Sequence, residues 1–223
     1  MTTASRELEC SLASDWGIVA GMDEVGRGAL AGPVAVGVAL IGVHAGPVPE
    51  GLTDSKALTP RRRDALVEPI QSWVQDCAVG YASPQEIDRW GIIVALRLAG
   101  RRALAEVASR GLVPGGVLLD GSHDWLSAPD DLFGGIDEPE DPFGVELPVH
   151  MQVKADLSCA VVAAASVLAK VARDRLMTDA DDPGYGWASN KGYGSAAHAR
   201  AIAELGVCDF HRRSWKMPTK PTK

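Results

Sequence analysis

The chain has 223 residues, of which 46% are hydrophobic and 23% are charged, and its formal net charge is −7. These proportions are typical of a soluble globular protein, and they exclude a disordered, collagen-like or coiled-coil chain. The length suits one α/β domain, so we expect residues 1–223 to form a single domain. A chain of this size can bury a large core, since about 70% of the unfolded surface is hidden on folding.

Hydrophobic patterning predicts strands at the start of the chain and an alternation of strands and helices after them. Thr59 and Pro60 form a helix start, with an N-cap side chain followed by proline at the first helical position. Ser83 and Glu86 form a capping box that starts another helix. The predicted strands are 18–22, 33–41, 77–82, 116–119 and 149–153, and the predicted helices are 61–74, 92–109, 158–177 and 195–205. This order favours a mixed sheet covered by helices.

Charge is distributed unevenly along the chain. Residues 124–148 hold eight acidic residues and no Lys or Arg, whereas residues 191–223 hold seven Lys and Arg residues against two acids. A local basic surface matters more to a phosphate backbone than the net charge does, so nucleic acid remains a candidate partner. We interpret 124–148 as a solvated acidic loop insertion and 191–223 as a basic C-terminal segment. The alternative for the loop is that it repels nucleic acid from the wrong face or docks a basic partner.

Neither a membrane span nor a secretion signal is expected. The chain has no run of 18 apolar residues, and residues 1–14 include charged side chains but no apolar stretch. The four cysteines are far apart and form no CxxC pair, which is typical of free thiols in a reducing compartment. We therefore expect a cytoplasmic protein.

Carboxylates stand at the end of a predicted strand or the start of a predicted helix at three places, which are Asp23–Glu24, Asp120 and Asp156. Strand ends are where α/β sheets form sites, and converging acids would repel unless a cation lay between them. Oxygen ligands of this kind favour Mg²⁺ or Mn²⁺ over zinc. The alternative is that each acid is only a cap or a turn residue. Spacing alone leaves both interpretations open.

Glycines follow the first acidic pair. Gly26, Gly28 and Gly32 resemble a degenerate dinucleotide-binding loop, but such a motif is weak on its own. Two carboxylates directly before the glycines would repel a pyrophosphate, so we set this interpretation aside. The glycines instead allow a ligand to approach the backbone closely. They also allow the bend that Asp23 and Glu24 require if both are to reach one metal site, because neighbours on a regular strand face opposite ways.

Residues 21–33, GMDEVGRGALAGP, resemble the signature of type 2 ribonucleases H, and most closely that of bacterial ribonuclease HII. Four further blocks agree in the same order, namely 54–63 with DSK, 118–121 with LLDG, 154–174 with KAD and an alanine-rich helix, and 190–214 with NKGYGS and HRRS. Ribonuclease HIII has an extra N-terminal domain and a different residue where Arg27 stands. Gly91 and Val94 depart from the family pattern, which has Asn and Gln at these positions.

The resemblance implies a ribonuclease H-like α/β fold, with a five-stranded mixed sheet flanked by helices and a helical C-terminal part. It implies hydrolysis of the phosphodiester on the 5′ side of a ribonucleotide, in RNA–DNA hybrids or at a single ribonucleotide embedded in duplex DNA. The products carry 3′-hydroxyl and 5′-phosphate ends, and misincorporated ribonucleotides and RNA are removed from DNA. By position, Asp23, Glu24, Asp120 and Asp156 correspond to the catalytic acids that hold Mn²⁺ or Mg²⁺ ions in a two-metal site.

The resemblance also implies substrate contacts. The family reads the 2′-hydroxyl with the backbone of Gly26, Arg27 and Gly28 and with the tyrosine that matches Tyr193. Lys56 and Arg27 are candidate phosphate contacts. Without the resemblance, Tyr193 is equally well a turn residue between two glycines, and most such charges are simply solvated. We expect a monomer that binds RNA–DNA hybrids and ribonucleotide-containing duplex DNA and does not contact membranes.

Two other functional classes remain open. A metal-dependent phosphohydrolase of small phosphate esters could carry similar acids, but it would not need the basic segment or Tyr193. A catalytically silent nucleic-acid-binding module would bind phosphate more easily without the four acids. The five histidines have no ligand spacing, and we interpret them as surface or structural residues.

Overall fold

The computed structural model describes residues 4–128 and 139–218. Its elements in chain order are α1 (Glu7–Trp16), β1 (Ile18–Val25), β2 (Val34–Gly42), α2 (Pro60–Trp73), β3 (Asp76–Ala82), α3 (Pro84–Ser109), β4 (Gly116–Asp120), β5 (Val149–Gln152), α4 (Ala155–Ser158), α5 (Ala160–Asp179), α6 (Trp187–Asn190) and α7 (Ala196–Leu205), with a short 3₁₀ helix at Ser55–Ala57. Within these ranges, no helix has the length and apolar character that crossing a membrane requires.

The five strands form one mixed sheet in the order β3-β2-β1-β4-β5. β2 runs antiparallel to both β1 and β3, whereas β1, β4 and β5 are parallel to one another. Met22 of β1 lies opposite Leu119 of β4, and Asp120 lies opposite Gln152 of β5. The carboxyl ends of β1, β4 and β5 therefore meet at one edge of the sheet. The predicted five-stranded mixed sheet with flanking helices is confirmed.

Helices cover both faces of this sheet. α5 packs on one face so closely that a Cβ atom at Gly21 would lie 2.6 Å from the Val161 carbonyl carbon, and one at Gly37 would lie 2.3 Å from the Ala165 oxygen. Glycine in these strands thus lets the alanine-rich helix approach to backbone distance. α3 packs on the other face, where it shares a buried apolar cluster with Trp125.

The elements differ from their predicted bounds for identifiable reasons. β1 continues through Val25, because its antiparallel pairing with β2 extends to the Val25–Ala35 pair. The helix start at Ser83 and the helix 92–109 are two parts of α3, which is interrupted at Gly91, where φ is 80°. α1 was not among the predicted elements. It is held by a distant contact, since the Glu9 carboxylate accepts a hydrogen bond from the Val161 amide at 2.6 Å.

Both ends of the acidic loop 124–148 contact the body of the protein, and the interpretation as a solvated insertion does not hold for Trp125 and Leu126. Trp125 and Leu126 are each 1% exposed and lie in the core cluster beside α3. The buried Arg101 guanidinium donates to both carboxylate oxygens of Glu146 at 3.0 Å. Apolar burial and a charge-assisted bond thus hold the two ends of the loop.

The basic segment 191–223 is not a uniformly basic surface. Arg212 is fully buried, and Lys191 donates to the Ala188 carbonyl at 2.6 Å. Residues 129–138 of the acidic loop and residues 219–223 of the basic segment lie outside the described residues. The four cysteines are free thiols, as expected.

Trp125→Ala is expected to destabilise the fold by about 3–5 kcal/mol, because removal of a large buried side chain leaves a cavity. Equilibrium denaturation in guanidinium chloride measures this change. Val145→Ala in the same loop is the control, since Val145 is 41% exposed. It should change the free energy of unfolding by less than about 0.5 kcal/mol. Equal effects of the two substitutions would contradict the anchoring of the loop.

Candidate active site

Four acidic side chains lie at the edge where β1, β4 and β5 end. Asp23 and Glu24 are close to the end of β1, Asp120 is the last residue of β4, and Asp156 follows β5 on the short helix α4. Ligands of α/β sheets bind at this edge, outside the carboxyl ends of the strands. The parallel arrangement of the three strands therefore brings together acids that are far apart in the sequence.

Asp23 and Glu24 leave a regular strand in opposite directions. Asp23 is 3% exposed and lies on the side covered by α5, whereas Glu24 is half-buried and pairs with Arg27 at 3.4 Å. β1 stays paired with β2 through Val25, so the strand is regular at the two acids themselves. The chain turns only after them, at Gly26, where φ is 84°. Both carboxylates nevertheless line one groove, because it opens at the end of the strand.

Burial and the charges of neighbouring acids raise the pKa values of Asp23, Glu24 and Asp156. The pKa of Asp23 is raised to about 7, chiefly by burial and then by the charges of Glu24 and Asp120. The pKa of Asp156 is raised to about 6 by burial and by the charges of Asp120 and Asp54. Burial also raises the pKa of Glu24. The site therefore holds more negative charge than its surroundings compensate.

Asp120 links the end of β4 to the helix that carries Asp156. Its Oδ1 atom accepts a hydrogen bond from the Ala155 amide at 2.7 Å. The preceding residue, Lys154, has a φ of 59°, a left-handed conformation that costs a non-glycine residue about 1–3 kcal/mol. The bond from Ala155 to Asp120 thus stabilises a strained turn, and this turn sets the position of Asp156, which is 6% exposed.

The Lys56 ammonium faces the acids from the 3₁₀ helix Ser55–Ala57. Its Nζ atom lies 3.8 Å from Oδ2 of Asp156. Burial acts to lower the pKa of Lys56, but the charges of the surrounding carboxylates, that of Asp23 first, outweigh this effect and raise the pKa above its ordinary value. Because the Lys56 side chain is 74% exposed, it remains accessible to a ligand while it partly neutralises the acids.

A groove of about 410 Å³ opens beside the end of β1. Its lining residues are Asp23, Glu24, Val25, Gly26, Arg27, Gly28, Ser55, Lys56, Lys170 and Tyr193. Of the nine site residues predicted from the sequence, seven therefore line this groove. Asp120 and Asp156 do not line the groove, but they are close enough for their charges to raise the pKa of Lys56.

Tyr193 lies between α6 and α7 and is 37% exposed. Its ring centre is 5.5 Å from the Arg173 guanidinium carbon and 5.8 Å from the Lys170 ammonium nitrogen. Cations at these distances are attracted to the face of an aromatic ring. Tyr193 is therefore a partly exposed ring at the groove, available to stack on a sugar or a base.

Two buried histidines support the Tyr193 turn from inside. His198 is fully buried and His211 is 1% exposed, and their Nε2 atoms are 3.2 Å apart. Nδ1 of His198 lies 3.0 Å from the Tyr193 carbonyl oxygen. Burial and then the His198 charge lower the pKa of His211 to about 4. The structural role that we expected for histidine is confirmed for this pair.

Ser55 and Lys170 also line the groove, although the sequence patterns gave them no role. On α5, Ser166, Lys170 and Arg173 are polar residues spaced by four and three in a helix that is otherwise rich in Ala and Val. That spacing puts them on one helical face and is a signal that could have identified them. No sequence pattern of this kind identifies Ser55. Its contact with α5 is a hydrogen bond that its hydroxyl accepts from the Ser166 hydroxyl at 2.9 Å, and these two residues are far apart in the sequence.

The donor set suits a hard divalent cation, since it consists of carboxylate oxygens whose charge is poorly compensated. As they stand, no three His, Cys, Asp or Glu side chains within 4–128 and 139–218 are arranged to hold a metal ion. The fit to such an ion is therefore one of charge and ligand chemistry.

Comparison with known proteins identifies the family of the chain. A family model described as Ribonuclease HII matches residues 20–218. The chain is 46% identical over 200 residues to the ribonuclease HII of Streptomyces avermitilis, and the match covers 89% of this chain and 76% of that protein.

Solved structures show a similar fold. The ribonuclease HII of Archaeoglobus fulgidus, solved in a complex with PCNA, matches with a TM-score of 0.62 and 27% identity, over 92% of this chain and 98% of that chain. Bst-RNase HIII, solved in complex with Mn²⁺, matches with a TM-score of 0.63 and 23% identity, over 86% and 63% of the respective chains. The mixed sheet and its flanking helices thus define a ribonuclease H-like fold. The chain belongs to the ribonuclease HII family and is accordingly a ribonuclease H, an endonuclease that acts on RNA–DNA hybrids.

Asp23→Asn is expected to stabilise the protein in the presence of a chelator, and to do so more at about pH 8 than at about pH 5. The folded state holds the Asp23 proton up to about pH 7, whereas the ordinary pKa is 3.8. The stability that the protonated group contributes is complete below pH 3.8 and is lost as the pH rises through 7, so the advantage of Asn grows over this range. Scanning fluorimetry would detect the change, since 1 kcal/mol shifts the melting temperature by about 2–4 °C in a chain of this length.

Asp64→Asn is the control for this measurement. Asp64 is exposed and pairs with Arg175 on the surface, where the Oδ1–Nη2 distance is 2.9 Å. This substitution should change the melting temperature by the same small amount at both pH values. A stabilisation by Asp23→Asn that did not depend on pH would show that the repulsion at Asp23 is not the cause.

Proposed function

We propose that the enzyme hydrolyses the phosphodiester on the 5′ side of a ribonucleotide, both in RNA–DNA hybrids and at single ribonucleotides embedded in duplex DNA. The products carry 3′-hydroxyl and 5′-phosphate ends. The observation that carries this proposal is the composition of the groove, in which Asp23 and Glu24 adjoin the glycine loop and Tyr193. Acids suited to phosphodiester hydrolysis and a surface suited to reading a sugar are thus neighbours.

The groove favours a polymeric substrate over the two alternatives. Tyr193 and Lys56 are exposed along it, whereas a small phosphate ester would need contacts that enclose it. A catalytically silent binding module is disfavoured because buried, mutually repelling carboxylates would weaken the binding of a phosphate backbone.

We also propose that Asp23, Glu24, Asp120 and Asp156 hold two divalent ions, Mn²⁺ or Mg²⁺. The support is the poorly compensated charge of these carboxylates and their oxygen ligand chemistry. Such ions, when bound, supply the Lewis acidity that activates water and stabilises the leaving 3′ oxygen. A histidine general base is then unnecessary, which agrees with the buried, structural position of the histidine pair.

The remaining groove residues have separate proposed roles. The 2′-hydroxyl is the group that distinguishes RNA from DNA locally, and we assign its recognition to the backbone of Gly26, Arg27 and Gly28 together with Tyr193. Lys56 is assigned to a phosphate oxygen, since its raised pKa keeps it charged at neutral pH.

The domain organisation, the oligomeric state and the cellular compartment that we expect from the sequence are part of the same proposal. We propose that residues 1–223 form one catalytic domain that acts as a monomer. A substrate of duplex DNA also requires a compartment that holds DNA, so we assign the enzyme to the cytoplasm.

The decisive experiment uses a labelled DNA duplex that carries one ribonucleotide, incubated with the protein in Mg²⁺ or Mn²⁺. The proposal expects a single cut on the 5′ side of the ribonucleotide, with a phosphate on the 5′ end of the downstream fragment. An all-DNA duplex of the same sequence is the control and should remain intact. Cleavage on the 3′ side, or equal cleavage of both duplexes, would refute the proposal.

Asp23→Asn, Asp120→Asn and Asp156→Asn are each expected to abolish cleavage while the protein stays folded, because each removes an anionic ligand. Cleavage of a labelled hybrid gives the activity, and circular dichroism gives the fold. Asp64→Asn should retain activity, since Asp64 lies on the surface and pairs with Arg175. Turnover at the wild-type rate by two of the three site variants would exclude the assignment of these acids.

Tyr193→Ala is expected to reduce the preference for a ribonucleotide-containing duplex by about 1–3 kcal/mol, because the stacking surface is lost. Tyr193→Phe should cost less, since it removes only the hydroxyl. Truncation after residue 215 should instead weaken binding to any duplex and flatten its salt dependence. If truncation altered the cleavage position and Tyr193→Ala did not, the two roles would be reversed.

A further inference from the structure

Two buried arginines lie under the glycine loop. Arg173 on α5 and Arg212 in the C-terminal segment are both fully buried. Neither forms an ion pair with any residue in the described part of the chain. Buried guanidinium groups without a carboxylate partner are costly, so other contacts must stabilise them.

Both guanidinium groups donate to backbone carbonyls. Arg212 donates to the oxygens of Gly26 at 2.7 Å, Arg27 at 2.8 Å and Gly32 at 3.1 Å. Arg173 donates to the oxygens of Ala31 at 3.1 Å, Pro33 at 2.8 Å and Lys191 at 2.9 Å. Five of these six carbonyls belong to the segment 26–33, and the sixth lies two residues before Tyr193. The arginines thus hold the loop and the tyrosine turn together.

The direction of the carbonyls determines the direction of the amides. In a planar trans peptide, the carbonyl of one residue and the N–H of the next point in opposite directions. Because the carbonyls of Gly26 and Arg27 point to Arg212, the N–H groups of Arg27 and Gly28 point away from it, to the side of the groove that these residues line. Within residues 4–128 and 139–218, no backbone acceptor takes either N–H.

The glycines of the loop fit this arrangement. Gly26 has a φ of 84°, and a Cβ atom there would lie 2.1 Å from Nε of Arg173. A Cβ atom at Gly28 would meet no atom within 4 Å, so the groove side of that residue is open. Glycine at 26 therefore allows contact with the arginine below, and glycine at 28 leaves room for a ligand above.

We propose that Arg173 and Arg212 are positioning residues, which turn the Arg27 and Gly28 amides into the groove as paired donors for an oxygen of a bound ribonucleotide. The identity of the ligand rests on the proposed function, whereas the positioning of the loop does not. The oxygen is that of the 2′-hydroxyl or of the adjacent phosphate, and both accept from amides in the same way. Burial and the Arg173 charge lower the pKa of Arg212 to about 9, so the group keeps its charge at neutral pH.

The first test measures the loop without any substrate. Arg212→Met removes the donors, and Arg212→Lys keeps the charge but cannot reach three carbonyls. Both variants should speed hydrogen exchange of the amides of residues 29–32, which donate to backbone carbonyls, by at least about tenfold, since each variant loses charge-assisted bonds to the loop. Arg175→Met is the matched control, because Arg175 is on the same helix as Arg173 but is exposed, and it should leave this exchange unchanged.

The second test measures binding of a catalytically inactive Asp120→Asn background to two duplexes, one with a single ribonucleotide and one of DNA alone. If the amides bind the 2′-hydroxyl, both Arg212 variants lose preference for the ribonucleotide duplex by about tenfold. If they bind a phosphate oxygen, affinity for the two duplexes falls equally. Either result supports the proposal when loop exchange is also faster.

Unchanged exchange in residues 29–32 together with unchanged affinities would overturn the proposal. If Arg212→Met does not fold, Arg212→Lys and Arg173→Lys provide the same comparison. A thermal shift with exchange raised equally throughout the chain would indicate a merely structural role and would also overturn it. Faster loop exchange in a protein that never cleaves ribonucleotide-containing duplexes would support the positioning and refute the proposed function.

Discussion

The close contact between α5 and the sheet positions the residues that connect the helix to the groove. Gly21 and Gly37 allow the helix to touch the strands at backbone distance. From there Ser166 reaches the hydroxyl of Ser55, and Arg173 reaches the loop that follows β1. A larger side chain at either glycine would force the helix away from the sheet, since a well-packed core cannot absorb added volume. The acids and the residues that face them would then separate.

Two buried ionisable groups of opposite type, Asp23 and Arg212, lie near the groove, and burial disfavours the charged form of each. The pKa of Asp23 is raised and that of Arg212 is lowered, chiefly by burial in each case. Both shifts mean that the folded protein holds charge at a cost in stability. In the proposed function, divalent cations bound beside the acids compensate the charge of Asp23, whereas the charge of Arg212 is compensated by the loop carbonyls to which it donates.

The strands and helices could be predicted from the sequence, because helix caps and apolar runs depend on residues that are neighbours in the chain. The Thr59 cap and the Ser83–Glu86 capping box form as expected, and the five strands lie where apolar runs meet turn residues. The acids could be placed at strand ends from the sequence, but their convergence depends on the parallel pairing of β1 and β4, which spacing does not encode. The family resemblance supplied that step.

What the sequence did not reveal depends on contacts between distant residues. α1 is held by a bond from Val161 to Glu9, which are 152 positions apart. Trp125 and Leu126 precede a run of Pro, Gly and acidic residues in the sequence. The polarity of this run gave no indication that these two side chains belong to the core. A charge in a basic segment is normally solvated, so nothing local identified Arg212 as buried.

Because Arg212 is buried, it influences nucleic-acid binding differently from an exposed basic residue. Counterions are released from a phosphate backbone by exposed cations, and so the salt dependence of duplex binding reports residues such as Lys56. A buried guanidinium that donates to backbone carbonyls contributes little to this dependence, because its interactions are poorly screened by salt. In the proposed function it acts instead through the shape of the loop that is assigned to the 2′-hydroxyl. On these proposed assignments, affinity and selectivity depend on different arginines and lysines, and a change in one property need not accompany a change in the other.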